Sequence, residues 1–150
     1  MRLCLDSSIV GKKYDKLEED YQLADELFSK VMKNEFEEVF WSKWLILEVL
    51  RVCVKKNFKK QRVDEVRDEI EEFLAMDLVK EKQITDDVVN LAKTLIVNLN
   101  IYAADAVHLA TAILSNSNVL LSEDEHLNKK KVKDFASKFG LEIKRLKEFL

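Results

Sequence analysis

The sequence predicts an α/β protein in three layers, α/β/α, with helices covering both faces of a central, mostly parallel sheet. Short apolar runs at residues 2–5, near 119 and near 142 have the length of strands and are separated by long stretches of helical periodicity. Parallel strands need crossover connections, which the intervening helices supply. Proline is absent and glycine occurs only at Gly11 and Gly140, so no linker composition divides the chain. The expectation is one domain, residues 1–150, around one core.

The elements follow in order. RLCLDSS opens the chain as a strand over residues 2–5 that ends in an acid. Leu17, Tyr21, Ala24, Leu27, Phe28, Val31 and Met32 then recur at three and four residue steps, the signature of one helix face. A second long helix is expected over about residues 38–56, carrying Trp41, Trp44, Leu45, Val49 and Val52. Val63, Val66, Ile70, Phe73 and Leu74 mark a third, and DLVKEKQI extends as a short strand before Thr85 caps the next helix. Asp86 and Asp87 occupy the first turn of that helix, where the dipole favours acids, and Val88, Leu91, Ala92, Leu95 and Ile96 form its apolar face. YAADAVHLATAI is a further, largely apolar helix, and NVLLS a buried strand. A helix through Val132, Phe135, Ala136 and Phe139 is terminated by Gly140, and LEIKRL closes the chain as a strand.

Composition excludes some functions and leaves others open. Lys plus Arg number 25 against 28 Asp plus Glu, a net charge of −3, so any contact with nucleic acid has to use local patches. Cys4 and Cys53 lie among apolar residues without the paired spacing of a zinc site, and read as buried free thiols in a reducing compartment. The apolar stretch from Trp41 to Val54 is interrupted by Lys43, Glu48 and Arg51 and falls short of the about 20 residues a membrane span needs. With no signal peptide, the expected location is the cytoplasm.

Four carboxylates fall at informative places: Asp6 and Asp124 just after strands, Asp105 at a helix start, and Glu48 in an apolar helical run. Asp6, Asp124 and Asp105 each also fit a helix-capping or first-turn role. Their positions link them, because in an open parallel sheet ligands bind beyond the carboxyl ends of the strands. Two like charges about 4 Å apart repel by about 4 kcal/mol at an effective dielectric of about 20, so a cluster of such acids must take up protons or hold a divalent cation. Oxygen donors of this kind suit Mg²⁺ or Mn²⁺, which can activate a water for in-line attack on a phosphodiester.

LCLDSSIV, LILEVL, YAADAVHLATAI, LLSEDEHL and GLEIKRL, in this order across nearly the whole chain, resemble the PIN-domain ribonucleases, particularly the VapC-like toxins of type II toxin–antitoxin systems. The resemblance implies metal-dependent endonucleolytic cleavage of RNA by Asp6, Glu48, Asp105 and Asp124, which match the family's acidic positions. It also implies that Ser8 and Ser122 support the cluster by hydrogen bonds, that the protein is a homodimer, and that an antitoxin blocks the site. In the SEDE run, Glu123 and Glu125 flank Asp124 as candidates for the fourth acid.

His108, one turn beyond Asp105, reads either as a ligand or proton donor or, given apolar Val107, Leu109 and Ala112 around it, as a supporting core histidine. KKNFKKQR (residues 55–62) and the Lys129, Lys130 and Lys131 run each read as an RNA-backbone contact or as a solvated helix end. Phe36, Phe40, Trp41 and Trp44 read as core or as a partner surface. The rival functions are a non-catalytic PIN-like binding module for RNA or protein, a housekeeping PIN nuclease of RNA processing, and a phosphotransfer enzyme with Asp6 as nucleophile. The last lacks a second acid two residues after Asp6.

Overall fold

Strand β1 (Arg2–Leu5) is the centre of a five-stranded sheet in the computed structural model, which describes residues 1–150. It leads through α1 (Ser7–Lys13) and α2 (Tyr21–Met32) to β2 (Glu38–Ser42). From there α3 (Leu45–Lys55) and α4 (Lys60–Leu74) lead to β3 (Val79–Lys82). Helices α5 (Asp86–Leu99) and α6 (Ala103–Leu114) carry the chain back across the sheet to β4 (Val119–Leu121), and α7 (Lys130–Ser137), β5 (Glu142–Lys144) and α8 (Leu146–Phe149) complete it. The strand order is β3-β2-β1-β4-β5 and all four pairings are parallel, so the expected α/β/α architecture is the one observed.

Alternation along the strands sorts the core into two layers. Leu3, Leu5, Val39, Trp41, Val119 and Leu121 face one layer, packed with side chains of α1–α4 and α8. Cys4, Phe40, Leu120 and Ile143 face the other, under α5, α6 and α7. Both cysteines are buried and free, and burial pushes their thiols up.

Residues 38–56 are not one helix. Glu38–Ser42 form β2, Lys43 and Trp44 turn, and only Leu45–Lys55 are helical. The run VFW is β-branched and aromatic and buried on both sheet faces, so it lacks the alternation that distinguishes a strand from a buried helix segment. Phe40 and Trp41 are therefore sheet core, Trp44 is a partly exposed residue at the start of α3, and Phe36 packs beside Phe149. Leu17 lies outside α2 and is 96% exposed, so it is not part of that helix face. Helix α7 ends at Ser137, before Phe139. Gly140 takes the left-handed conformation at φ +71° that closes the turn, and Leu141 donates its N–H to the Ala136 carbonyl at 3.2 Å. The closing run divides between β5 and the short helix α8.

Thr85 caps α5 as expected, accepting the Val88 N–H. At the other end of α5, Asn100 adopts a left-handed conformation and α6 departs at 119°. This corner returns α6 across β2, β1 and β4. Ala106 and Ala110 on its inner face are fully buried; their small side chains let the helix lie close to the sheet. No single helix is long and apolar enough to cross a membrane.

Candidate metal centre

The chain leaves β1 toward one edge of the sheet through β2 and β3 and returns on the other side through β4, so the switch point lies between β1 and β4. Asp6 follows β1 and Ser122 follows β4 at that point, while Ser42 ends β2 next door. Asp6 is 2% exposed and both caps α1 and anchors the cluster. Its Oδ1 accepts the Ser7 N–H at 2.7 Å, and its Oδ2 accepts the hydroxyls of Ser8 and Ser122, each at 2.7 Å. Ser8 and Ser122 in turn accept the backbone N–H groups of Glu123 and Asp124, both at 3.0 Å. The two serines thus tie the first acid to the loop that carries the last.

Glu48 and Asp105 lie in the first turns of α3 and α6. Glu48 hydrogen-bonds to Nε2 of His108, which also lies 3.4 Å from Asp6 Oδ1. The ligand atoms of Asp6, Glu48 and His108 lie within 4.8 Å of one another. On its far side, Nδ1 of His108 meets the Ser42 hydroxyl at 3.2 Å. Burial pulls the His108 pKa down, but the hydrogen bond to Glu48 and the charges of Asp6, Glu48 and Asp105 outweigh it, so the net shift is upward. Asp105 has a buried Oδ2 with no hydrogen-bond partner. Burial first, then the charges of Asp124 and Asp6, push its carboxyl up to about 7, with His108 opposing and Glu48 adding to the shift.

Of the three acids after β4, Asp124 is the one coupled electrostatically to Asp105. Its Oδ1 accepts the N–H groups of His126 (2.7 Å) and Leu127 (3.1 Å), so it caps the following turn as well. Glu123 accepts the Leu146 N–H at 2.9 Å and pairs with Arg145 at 3.3 Å. Glu125 is exposed at the rim of a cleft of about 430 Å³ beside the cluster. Asp6, Glu48, Asp105 and Asp124 are therefore brought together with Ser8, Ser122 and His108. Ser42 was not legible as a site residue, because the sequence pattern placed it inside a helix.

Half of the basic residues in these runs, Lys56, Lys60, Arg62 and Lys130, are held in ion pairs. Lys56 bonds to Asp15 and Glu18, Lys60 to Asp64, and Arg62 to Glu65 and Glu69, while Phe58 packs on the core. Lys129 contacts His126, Lys130 pairs with Asp134, and Lys131 is exposed.

Fold and site define the class: an α/β/α protein with a cluster of acids at the switch point of a parallel sheet. The PIN domain profile matches residues 3–133, and the chain belongs to the PIN domain family. Among solved structures it is similar in fold to Mycobacterium tuberculosis VapC20, described as a sarcin–ricin loop cleaving toxin. The TM-score is 0.67 at 13% identity, covering 82% of this chain and 90% of that one. VapBC2 from Rickettsia felis, bound to a DNA fragment from its promoter, gives 0.64 at 16% identity, covering 97% and 98%. A toxin–antitoxin complex from Klebsiella pneumoniae gives 0.62 at 15% identity, covering 85% and 92%. A sequence comparison with curated proteins finds no match.

Proposed function

We propose that this protein is a divalent-metal-dependent endoribonuclease and the toxin of a toxin–antitoxin pair, with Asp6, Glu48, Asp105 and Asp124 holding Mg²⁺ or Mn²⁺. The observation that carries the reading is the buried, unpartnered Oδ2 of Asp105 amid the charges of Asp124, Asp6 and Glu48. A buried carboxylate oxygen so placed requires a proton or a cation, and a set of oxygen donors suits a hard divalent ion. Such an ion, when bound, lowers the pKa of a water and offsets the charge on the leaving oxygen of a phosphodiester.

The chain's own residues prepare that chemistry. Three donors fix the Asp6 carboxylate in direction, and the serine pair fixes the loop bearing Asp124. The neighbouring cleft is lined by five carboxylates, Asp15, Glu18, Glu123, Asp124 and Glu125, against Lys12 and Lys56. A polyanion entering there meets net negative charge, so a cation at the cluster is needed to bring a phosphate close. The toxin assignment and an antitoxin partner are supported by family membership and by likeness to VapC20 and to toxin–antitoxin complexes; a homodimer, a single domain over residues 1–150 and a cytoplasmic setting belong to the same proposal.

Asp6→Asn and Asp105→Asn proteins are expected to keep the native circular dichroism spectrum and to lose Mn²⁺-dependent RNA cleavage. Cleavage retained by both variants in clean preparations sinks the assignment. A wild-type protein that neither binds millimolar Mn²⁺ in calorimetry nor cleaves RNA is instead a non-catalytic binding module. A short adjacent reading frame encoding a DNA-binding partner separates a toxin from a housekeeping nuclease.

A further inference from the structure

We infer that His108 is itself a metal ligand through Nε2, which makes the centre a mixed nitrogen and oxygen site selective for Mn²⁺ over Mg²⁺. This rests on the reading that Asp6 and Glu48 hold the metal. The imidazole is 1% exposed and its two nitrogens have separate roles. Nδ1 is engaged by Ser42 at the end of β2, and this contact turns Nε2 toward the carboxylates of Glu48 and Asp6. Neighbouring ligands on an octahedral ion with bonds of about 2.1 Å lie about 3 Å apart. The 3.4 Å separation of Nε2 and Asp6 Oδ1 is close to that spacing.

Ser42 suits a ligand histidine for a second reason. Its hydroxyl can donate or accept, so it keeps the Nδ1 contact in either tautomer. With the proton on Nδ1 and donated to the Ser42 oxygen, the Nε2 lone pair is free for a cation, and a hydrogen bond to the remote nitrogen is what orients a ligating histidine. Glu48 can then exchange its hydrogen bond with Nε2 for a shared ion. A nitrogen donor disfavours Mg²⁺, which prefers oxygen donors and dehydrates reluctantly, more than it disfavours Mn²⁺, the weakest of the first-row divalent ions but still one of them.

The test is pulsed EPR on the intact chain titrated with Mn²⁺ alone, read for hyperfine coupling to a directly bound histidine nitrogen. The expected result is nitrogen coupling in the wild type and in His126→Gln, its loss in His108→Gln, and a fall of about tenfold or more in the preference for Mn²⁺ over Mg²⁺ in His108→Gln. In His126→Gln, whose one histidine is His108, ¹⁵N-histidine labelling changes the coupling pattern and decides the matter even if His108→Gln does not fold. Bound Mn²⁺ without nitrogen coupling overturns this inference and leaves the nuclease reading standing. Coupling lost in His126→Gln instead also overturns it, and a wild type that binds no Mn²⁺ overturns both.

Discussion

The Ser122 hydroxyl donates a 2.7 Å hydrogen bond to Oδ2 of Asp6, 116 positions earlier in the chain, while accepting the Asp124 N–H at 3.0 Å. One fully buried side chain thus joins the carboxyl ends of β1 and β4 and sets the separation of two acids. Hydrogen bonds to charged groups are worth about 1.5–3 kcal/mol, and Ser122→Ala is expected to lower unfolding stability by that amount. Urea unfolding at neutral pH measures it. A midpoint unchanged from wild type would show that Asp6 finds another donor.

The pH dependence of the metal-free protein has a definite sign. The Asp105 carboxyl is raised to about 7 from an ordinary value of 3.8, so the folded state favours its protonated form. Its contribution to stability is fully present below about 4 and is lost as pH rises through 7. His108, also raised, acts in the same direction, its contribution declining as pH climbs above 6.5. The Tm measured with a chelator present is therefore expected to fall between pH 4 and 7 more steeply for wild type than for Asp105→Asn. Parallel Tm profiles for the two proteins would refute the placement of Asp105.

The two glycines are expected to respond to alanine with opposite signs. Gly140 sits at φ +71°, and the left-handed conformation costs an L-residue about 1–2 kcal/mol, so Gly140→Ala destabilises. Gly11 lies inside α1 with nothing within 4 Å of an added Cβ, and Gly11→Ala is expected to stabilise by about 0.5–1 kcal/mol. Denaturant unfolding of both variants checks this, and the same sign for both is the contrary result.

Among the acids of SEDE, Glu123 and Asp124 have different partners. Glu123→Gln weakens the link to Leu146 and Arg145 and is expected to cost stability while leaving Mn²⁺ affinity within about twofold of wild type. Asp124→Asn keeps the turn bonds to His126 and Leu127 and is expected to lower Mn²⁺ affinity by about tenfold or more. Calorimetric titration of the two variants decides, and the reverse pattern would move the fourth acid to Glu123.

Much of the site was legible because its acids interrupt apolar patterns: Asp6 ends a strand run, Glu48 breaks a helical face, and Asp105 is the lone charge in YAADAVHLATAI. The strand at 38–42 was not, because a run buried on both sheet faces has no alternation and reads equally as helix. The same lack of alternation hides Ser42, whose significance comes from ending β2 beside the ends of β1 and β4.

Local pattern by itself determined the α/β/α class, most element positions and three candidate acids, Asp6, Glu48 and Asp105, since periodicity and caps are properties of neighbouring residues. The order of strands, the selection of Asp124 over Glu123, and the turning of His108 toward Glu48 and Asp6 came only from tertiary structure. Each depends on contacts between residues far apart in the chain, such as Ser42 with His108 and Asp6 with Ser122, and no local propensity encodes which distant side chains will share one buried space.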